Sequence, residues 1–290
     1  MKIGDMIPKA VPQGAAAELP PERRGSFADA ERVPELIAMT PLRWEGGYRP
    51  DTVRAFGNLR AFFLKKHRAT FHPVNTLGSS QAVARAELVG QTLATDMAEP
   101  GGQRSFFVDA DVVPTIQATM ALLAVEATGT TDVVAVPYCS RVPDADGGHN
   151  WVPRLPLGTL KVRTVAGHRL LTVAGSGLGM TFISRRALVI LCAVFPELLA
   201  WCEGVGRPRS MPCVFNLIVH TRPEWPNERR TGPGVEEEDQ SFFARARAAG
   251  LRVEVLCDLQ VPHADGPRLL VGPPGETYAK RCGLPPPPPV

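Results

Sequence analysis

Nowhere does the 290-residue chain stay apolar for the roughly 18 residues that crossing a bilayer requires. Its longest apolar segment, Ala187 to Trp201, is broken by Pro196 and Glu197 and reads as a core helix ending there. The six cysteines, at 139, 192, 202, 213, 257 and 282, form no Cys-x-x-Cys pair and no metal-ligand spacing. Several lie in apolar runs, where a free thiol behaves as a small hydrophobe. The amino terminus lacks a charged-then-apolar signal segment. Together these absences predict a soluble protein of a reducing cytoplasm. A net charge of only +3, with no basic run interleaved with aromatics, argues against nucleic acid or membrane as the main partner. With neither a fixed-period repeat nor a clear linker, a single domain is the economical reading.

What is present is an alternation of short strands and amphipathic helices. Residues 1–30 are rich in Pro, Ala, Gly and charge without periodicity, and read as a loose arm. Leu36 to Pro41 reads as the first buried strand. Asp51 caps a helix to about Lys66, with Val53, Phe56, Leu59 and Phe63 on one face. Ala69 to Val74 is a second strand. Ser79 or Ser80 then caps a helix striped by Ala82, Ala86, Val89 and Leu93. A strand from Phe106, a helix opened by Pro114 and a strand over Asp132 to Pro137 follow. This order predicts an α/β fold, a mainly parallel sheet with helices on both faces. The second half is mixed: Leu160 to Val165 and Leu170 to Val173 read as an antiparallel hairpin. Val214 to Val219 reads as a strand, Glu236 to Ala249 as a helix ended by Gly250, and Val253 to Leu256 as the last strand. Residues 31–266 thus form the domain, and 267–290 a Pro-rich tail whose run Pro285 to Pro289 cannot join a core.

The chemistry centres on Phe106-Phe107-Val108-Asp109-Ala110-Asp111-Val112-Val113-Pro114. An apolar strand stops in two carboxylates and a proline. On an extended backbone, Asp109 and Asp111 point to one side, just past the strand's carboxyl end, where open α/β sheets bind ligands. Carboxylates held side by side call for a cation, and Mg²⁺ or Mn²⁺ suits oxygen ligands. A second Asp-x-Asp, Asp144-Ala145-Asp146, has no strand before it and reads as a solvated turn.

The first of these stretches resembles the metal-binding motif of GT-A-fold (Rossmann-like) nucleotide-sugar glycosyltransferases, and four others fall in the order that fold requires. Gln81 to Ala86 looks like the helix before the motif, whose Arg85 faces the donor site, and Pro137 to Arg141 like the turn after the next strand. Gly175-Ser176-Gly177-Leu178-Gly179, running on to Arg185-Arg186, resembles the segment beside the donor sugar. Glu238-Asp239-Gln240-Ser241-Phe242-Phe243, then Gly250 and His263, resembles the family's ending. The resemblance covers roughly residues 33 to 265 and implies a non-processive, family-2-like enzyme of hexosyltransferase type. By that resemblance Asp111 is the direct metal ligand, Asp109 is shared between metal and ribose, and Thr40 lies where the nucleobase sits.

The residue types suit that chemistry. His263 supplies a third metal ligand through its neutral imidazole. Asp239 or Glu238 offers a carboxylate to deprotonate an acceptor hydroxyl, although acids in a first helical turn also serve as caps. Arg85 and Arg141 pair with donor phosphates. Gly175, Gly177 and Gly179 tolerate φ > 0 and let backbone approach a ligand, or form only a tight turn. The expected co-substrate is a nucleoside-diphosphate sugar and the acceptor a glycan, lipid or protein hydroxyl. Departures exist: Ala84-Arg85-Ala86 lacks the family's asparagine after the arginine, and no Gln-x-x-Arg-Trp marks a processive synthase. Two other readings stand beside this one. A sugar nucleotidyltransferase would carry a glycine-rich basic loop after the first strand, which Thr40 to Gly47 matches faintly. A non-catalytic nucleotide- or protein-binding module on the same fold is the third.

Overall fold

The computed structural model describes residues 35–43, 48–67, 70–78, 81–96, 103–140, 151–155, 159–202, 209–220, 234–265, 268–271 and 277–286. The expected arm, the Ser79 and Ser80 cap, Arg141 and residues 287–290 lie outside these. The first half runs β1 (Glu35–Arg43), α1 (Pro50–His67), β2 (Thr70–Gly78), α2 (Gln81–Asp96), β3 (Gln103–Val108), α3 (Ile116–Glu126) and β4 (Val133–Ala135). Then come β5 (Val162–Val165), β6 (His168–Thr172), β7 (Met180–Ile183), α4 (Arg185–Val194), β8 (Leu199–Cys202), β9 (Arg209–Pro212), β10 (Ile218–His220) and β11 (Gly234–Glu236). The chain closes with α5 (Glu238–Ala248), β12 (Val253–Leu256), β13 (His263–Asp265), β14 (Arg268–Leu270) and α6 (Tyr278–Arg281).

One eight-stranded sheet, in the order β2-β1-β3-β7-β4-β12-β6-β5, forms the middle layer. β1 pairs parallel with β2 and β3, and β4 with β12. β7 enters antiparallel between β3 and β4, and β6 joins β12 and β5 antiparallel. The architecture is therefore mixed α/β. The mainly parallel sheet expected from the sequence gives way because β7, distant in sequence, inserts against the direction of both neighbours. The hairpin β5–β6 forms as expected, turning on Ala166 (φ 48°) and Gly167 (φ 80°).

Period-2 alternation divides the core between the two faces. Phe107, Val133, Ala135, Val253 and Val255 pack with α2, α4 and α5 on one face. Phe106, Val108, Val134 and Val136 pack with α1 and α3 on the other. Phe107, Phe215, Phe242 and Phe243 form a chain of ring contacts on the first face.

Three local expectations change. Val53 is exposed, and Thr52 and Ala55 turn inward instead, since the buried face of α1 is centred on Phe56, Leu59 and Phe63. Residues 214–216 form a turn closed by Asn216 N–H to Cys213 O (3.0 Å), so the strand there begins only at Ile218. The chain after residue 276 does not stay off the core. Tyr278 and Ala279 are buried, Tyr278 Oη donates to Pro153 O (3.0 Å), and Leu284 packs against the same core. An aromatic and an alanine on one short helix supply the apolar face that the proline run lacks.

Candidate functional site

β3 ends at Val108, and Val112 N–H closes a turn on Asp109 O (3.0 Å). That turn overturns the extended-backbone expectation. Asp109 and Asp111 sit in a turn rather than on a strand, and their carboxylates meet different partners. Asp109 accepts from Arg85 Nη2 at 2.9 and 3.0 Å, while Asp111 Oδ2 lies 3.6 Å from His263 Nε2. The turn is fixed from below by Thr52 Oγ1, which donates to Ala110 O and Val112 O.

His263 arrives by backbone pairing. After β12 the chain returns alongside the turn, with Val113 N–H on Pro262 O (2.9 Å) and Ala264 N–H on Asp111 O (2.7 Å). His263 Nδ1 lies 2.9 Å from Cys139 O. A carbonyl only accepts, so Nδ1 donates to it, and Nε2 is the ring nitrogen that faces Asp111. A ring nitrogen and a carboxylate oxygen at that spacing share either a proton or a cation. Atoms that each ligate one Mg²⁺-like ion at about 2.1 Å sit roughly 3 to 4 Å apart, and this pair falls inside that range. A histidine whose other ring nitrogen is held by a carbonyl is the usual arrangement for a metal ligand. Among the described residues, however, no group of three or more His, Cys, Asp and Glu side chains is gathered closely enough to cage an ion by itself. Any further ligands would have to come from substrate or water.

Arg85 occupies the centre of the acidic cluster. It projects from α2 with its side chain only 1% exposed. Nη1 donates to Asp239 Oδ1 at 2.5 Å and lies 3.7 Å from Glu238 Oε1. Gln81, with its amide turned to satisfy both ends, accepts from Arg85 Nη2 and donates to Glu238 Oε1, each at 3.1 Å. Burial alone would lower the guanidinium's pKa, but Asp109, Asp239 and Glu238 outweigh it and hold the group charged. The arginine thus faces carboxylates rather than open donor space, a correction to the phosphate contact expected of it. Burial beneath three acids is the physical reason.

Asp239 stands at the start of α5, and its second oxygen accepts from Leu178 N–H (3.1 Å). Burial is the main cause that pushes its carboxyl up to about 6; Arg85 and the Leu178 N–H pull it down, while Asp109 and Glu238 add to the rise. Tyr138 lies beside this cluster. Burial first, then the charges of Asp239 and Asp109, holds its phenol well above the ordinary value.

The three glycines serve packing. None has a positive φ. A Cβ on Gly177 would overlap Tyr138 Oη and come within 2.8 Å of Val152 Cγ1. One on Gly179 would meet Tyr138 and Val112 at 2.7 to 2.8 Å, and one on Gly175 would meet Gln240 Oε1 at 2.7 Å. The close approach they permit in this structure is that of Tyr138, Val112, Val152 and Gln240. Tyr138 in turn packs edge-on to His263, with ring centroids 5.1 Å apart. Sequence reasoning passed over Tyr138 and Gln81; the glycine spacing was the available sign that something large lay against it.

Thr40, on β1, is fully buried, and its Oγ1 has no hydrogen-bond partner among the described residues. Ser176 Oγ is buried in the same condition. Asp109, Asp111, Glu238, Asp239, Arg85 and His263 are thus brought together at the carboxyl end of β3, with the three glycines behind them. No family model matches the chain. No curated protein matches it either. Among solved structures it is similar to A197 from STIV, at 19% identity over 84% of this chain and 93% of that chain, with a TM-score of 0.45. A likeness at that level carries no functional argument, so the site's own chemistry has to.

Proposed function

We propose that the chain is a metal-dependent glycosyltransferase of GT-A architecture, moving one sugar from a nucleoside-diphosphate sugar to an acceptor hydroxyl. The observation that carries this reading is the juxtaposition of Asp111 Oδ2 and His263 Nε2, 3.6 Å apart. Asp111 and His263, completed by substrate and water oxygens, would hold Mn²⁺ or Mg²⁺, which when bound offsets the charge that a departing diphosphate gathers.

Asp239 is the acceptor-side base in this reading. Its carboxyl, held up at about 6, is largely ionised at neutral pH yet more basic than an ordinary aspartate. It takes the proton of the acceptor hydroxyl as that oxygen bonds to the anomeric carbon. The bond from that carbon to the diphosphate oxygen breaks, and its electron pair leaves with the diphosphate. Leu178 N–H orients the carboxylate through Oδ2. Glu238, on the same helical turn and bonded to Gln81, supports the array from α5.

A thermal-shift screen of UDP-, GDP-, CMP- and dTDP-sugars, with and without Mn²⁺, tests the reading on wild type and Asp111→Ala. A ligand at about 100 times its dissociation constant adds roughly 2.7 kcal/mol. Stabilisation by one nucleotide class, present only with metal and lost in the variant, is the expected result. No shift with any donor, in protein shown to be folded, would remove the donor site.

A further inference from the structure

One guanidinium serves the two carboxylates to which the proposed reaction gives different tasks. Arg85 Nη2 is bound by both oxygens of Asp109, at the end of β3, on the donor side. Arg85 Nη1 is bound by Asp239, at the start of α5, on the acceptor side. Among the described residues, Arg85 is the side chain hydrogen-bonded to both acids, which are 130 residues apart in sequence. With its side chain 1% exposed, Arg85 has little access to a phosphate arriving from solvent. A planar fork with fixed donor directions sets the distance and angle between two carboxylates in a way that a single point charge does not.

We propose that Arg85 is a positioning residue, which fixes the acceptor-side carboxylate of Asp239 relative to the donor-side carboxylate of Asp109. The inference rests on the glycosyltransferase reading for its kinetic consequences, but not for the linkage itself. Losing the fork leaves Asp111 and His263 in place on the donor side and frees Asp239 to turn about the bond it keeps among the described residues, to Leu178 N–H. The charged and titratable groups around Asp239 are Arg85 from α2, Asp109 from the end of β3, Glu238 on α5 and Tyr138 after β4. Of these only Arg85 favours the ionised carboxylate, so its loss moves the Asp239 titration upward.

The test compares wild type, Arg85→Met and Arg85→Lys. In turnover assays with whichever donor the screen identifies, a positioning role predicts that kcat falls by about 100-fold, as for a misplaced catalytic group, while the donor KM changes by less than about threefold. The acid limb of the kcat profile moves to higher pH by about one unit or more in Arg85→Met, and Arg85→Lys fails to restore kcat although it keeps the charge. A role confined to holding the fold would lower the urea midpoint and leave kcat per folded molecule unchanged, and that result too would overturn the proposal. A raised donor KM with kcat preserved at saturation would make Arg85 a phosphate ligand and overturn the proposal.

A carboxyl ¹³C NMR titration keeps the question open to refutation if no donor turns over, an outcome that would count against the glycosyltransferase reading alone. In wild type, the Asp239 step is expected to appear also in the Asp109 resonance through the shared guanidinium. If Asp109 stays unmoved through that step, the linkage does not exist. The wild-type measurement decides this point even if both Arg85 variants fail to fold.

Discussion

His263 Nε2 and Asp111 Oδ2 face each other at 3.6 Å, while the other ring nitrogen of His263 is committed to the Cys139 carbonyl. With Nδ1 donating to that carbonyl, Nε2 is the nitrogen that faces the carboxylate, and the pairing has measurable consequences.

His263→Ala is expected to weaken Mn²⁺ binding by at least about tenfold, with Asp111→Asn acting in the same direction. Titration followed by the electron paramagnetic resonance of free Mn²⁺ measures this without any sugar donor. Equal Mn²⁺ affinity in wild type and both variants would rule out the cation site.

Gly177→Ala forces a methyl group into the space of Tyr138 and Val152. Overpacking of this kind costs about 1–3 kcal/mol, read as a lower urea midpoint with an unchanged slope. Adding Tyr138→Phe removes the overlapping hydroxyl and should recover part of the loss, because Cζ would still lie 2.7 Å from the new methyl. Full stability in Gly177→Ala alone would mean that Tyr138 is not where the packing puts it.

The Asp239 carboxyl is raised in the fold from 3.8 to about 6. A raised acid binds its proton more tightly folded than unfolded. Its stabilising contribution is therefore complete below about pH 4 and is lost as the pH rises through about 6. Wild type should lose on the order of 2–3 kcal/mol over that window through this group. Asp239→Asn, which cannot titrate, should lack that component. Urea unfolding of both proteins from pH 4 to 7.5 measures the difference, and parallel curves would refute the assigned shift.

Glu254, on β12, is 1% exposed and receives Arg163 in a two-pronged pair, both contacts 2.6 Å. Arg163→Met leaves a buried carboxylate without its countercharge and should cost about 3–5 kcal/mol. Replacing both residues by apolar ones of similar volume should return most of that stability. A denaturation cycle on the two single variants and the double variant decides it, and additive losses would show that the pair is not coupled.

Much of this molecule is legible in the sequence because its signals are local. Period-3.6 stripes place α1 and α2 within a few residues of their observed bounds, and Phe106 to Val108 announces a buried strand ending in acids. The Leu160 to Val173 hairpin follows from its own turn residues. The grouping of Asp109, Asp111, Asp239, Arg85 and His263 at one end of the sheet agrees with the order of strands and helices that carry them.

What the sequence could not settle depends on partners far away along the chain. Nothing in Met180 to Ile183 says that it will lie between β3 and β4 and run against both. The strand stops in a turn at Asp109 where periodicity alone would have carried it on to Asp111, because Thr52 and the returning strand of His263 hold that turn in place. Arg85 reads as a solvent-facing phosphate contact until α5 brings Asp239 and Glu238 over it. The glycines at 177 and 179 read as a ligand cradle until Tyr138 is seen to fill the space they leave. Local sequence determined which segments are strands and helices and which residues carry charge. Tertiary packing decided which charges meet, since a buried ion must find its partner wherever the fold brings one.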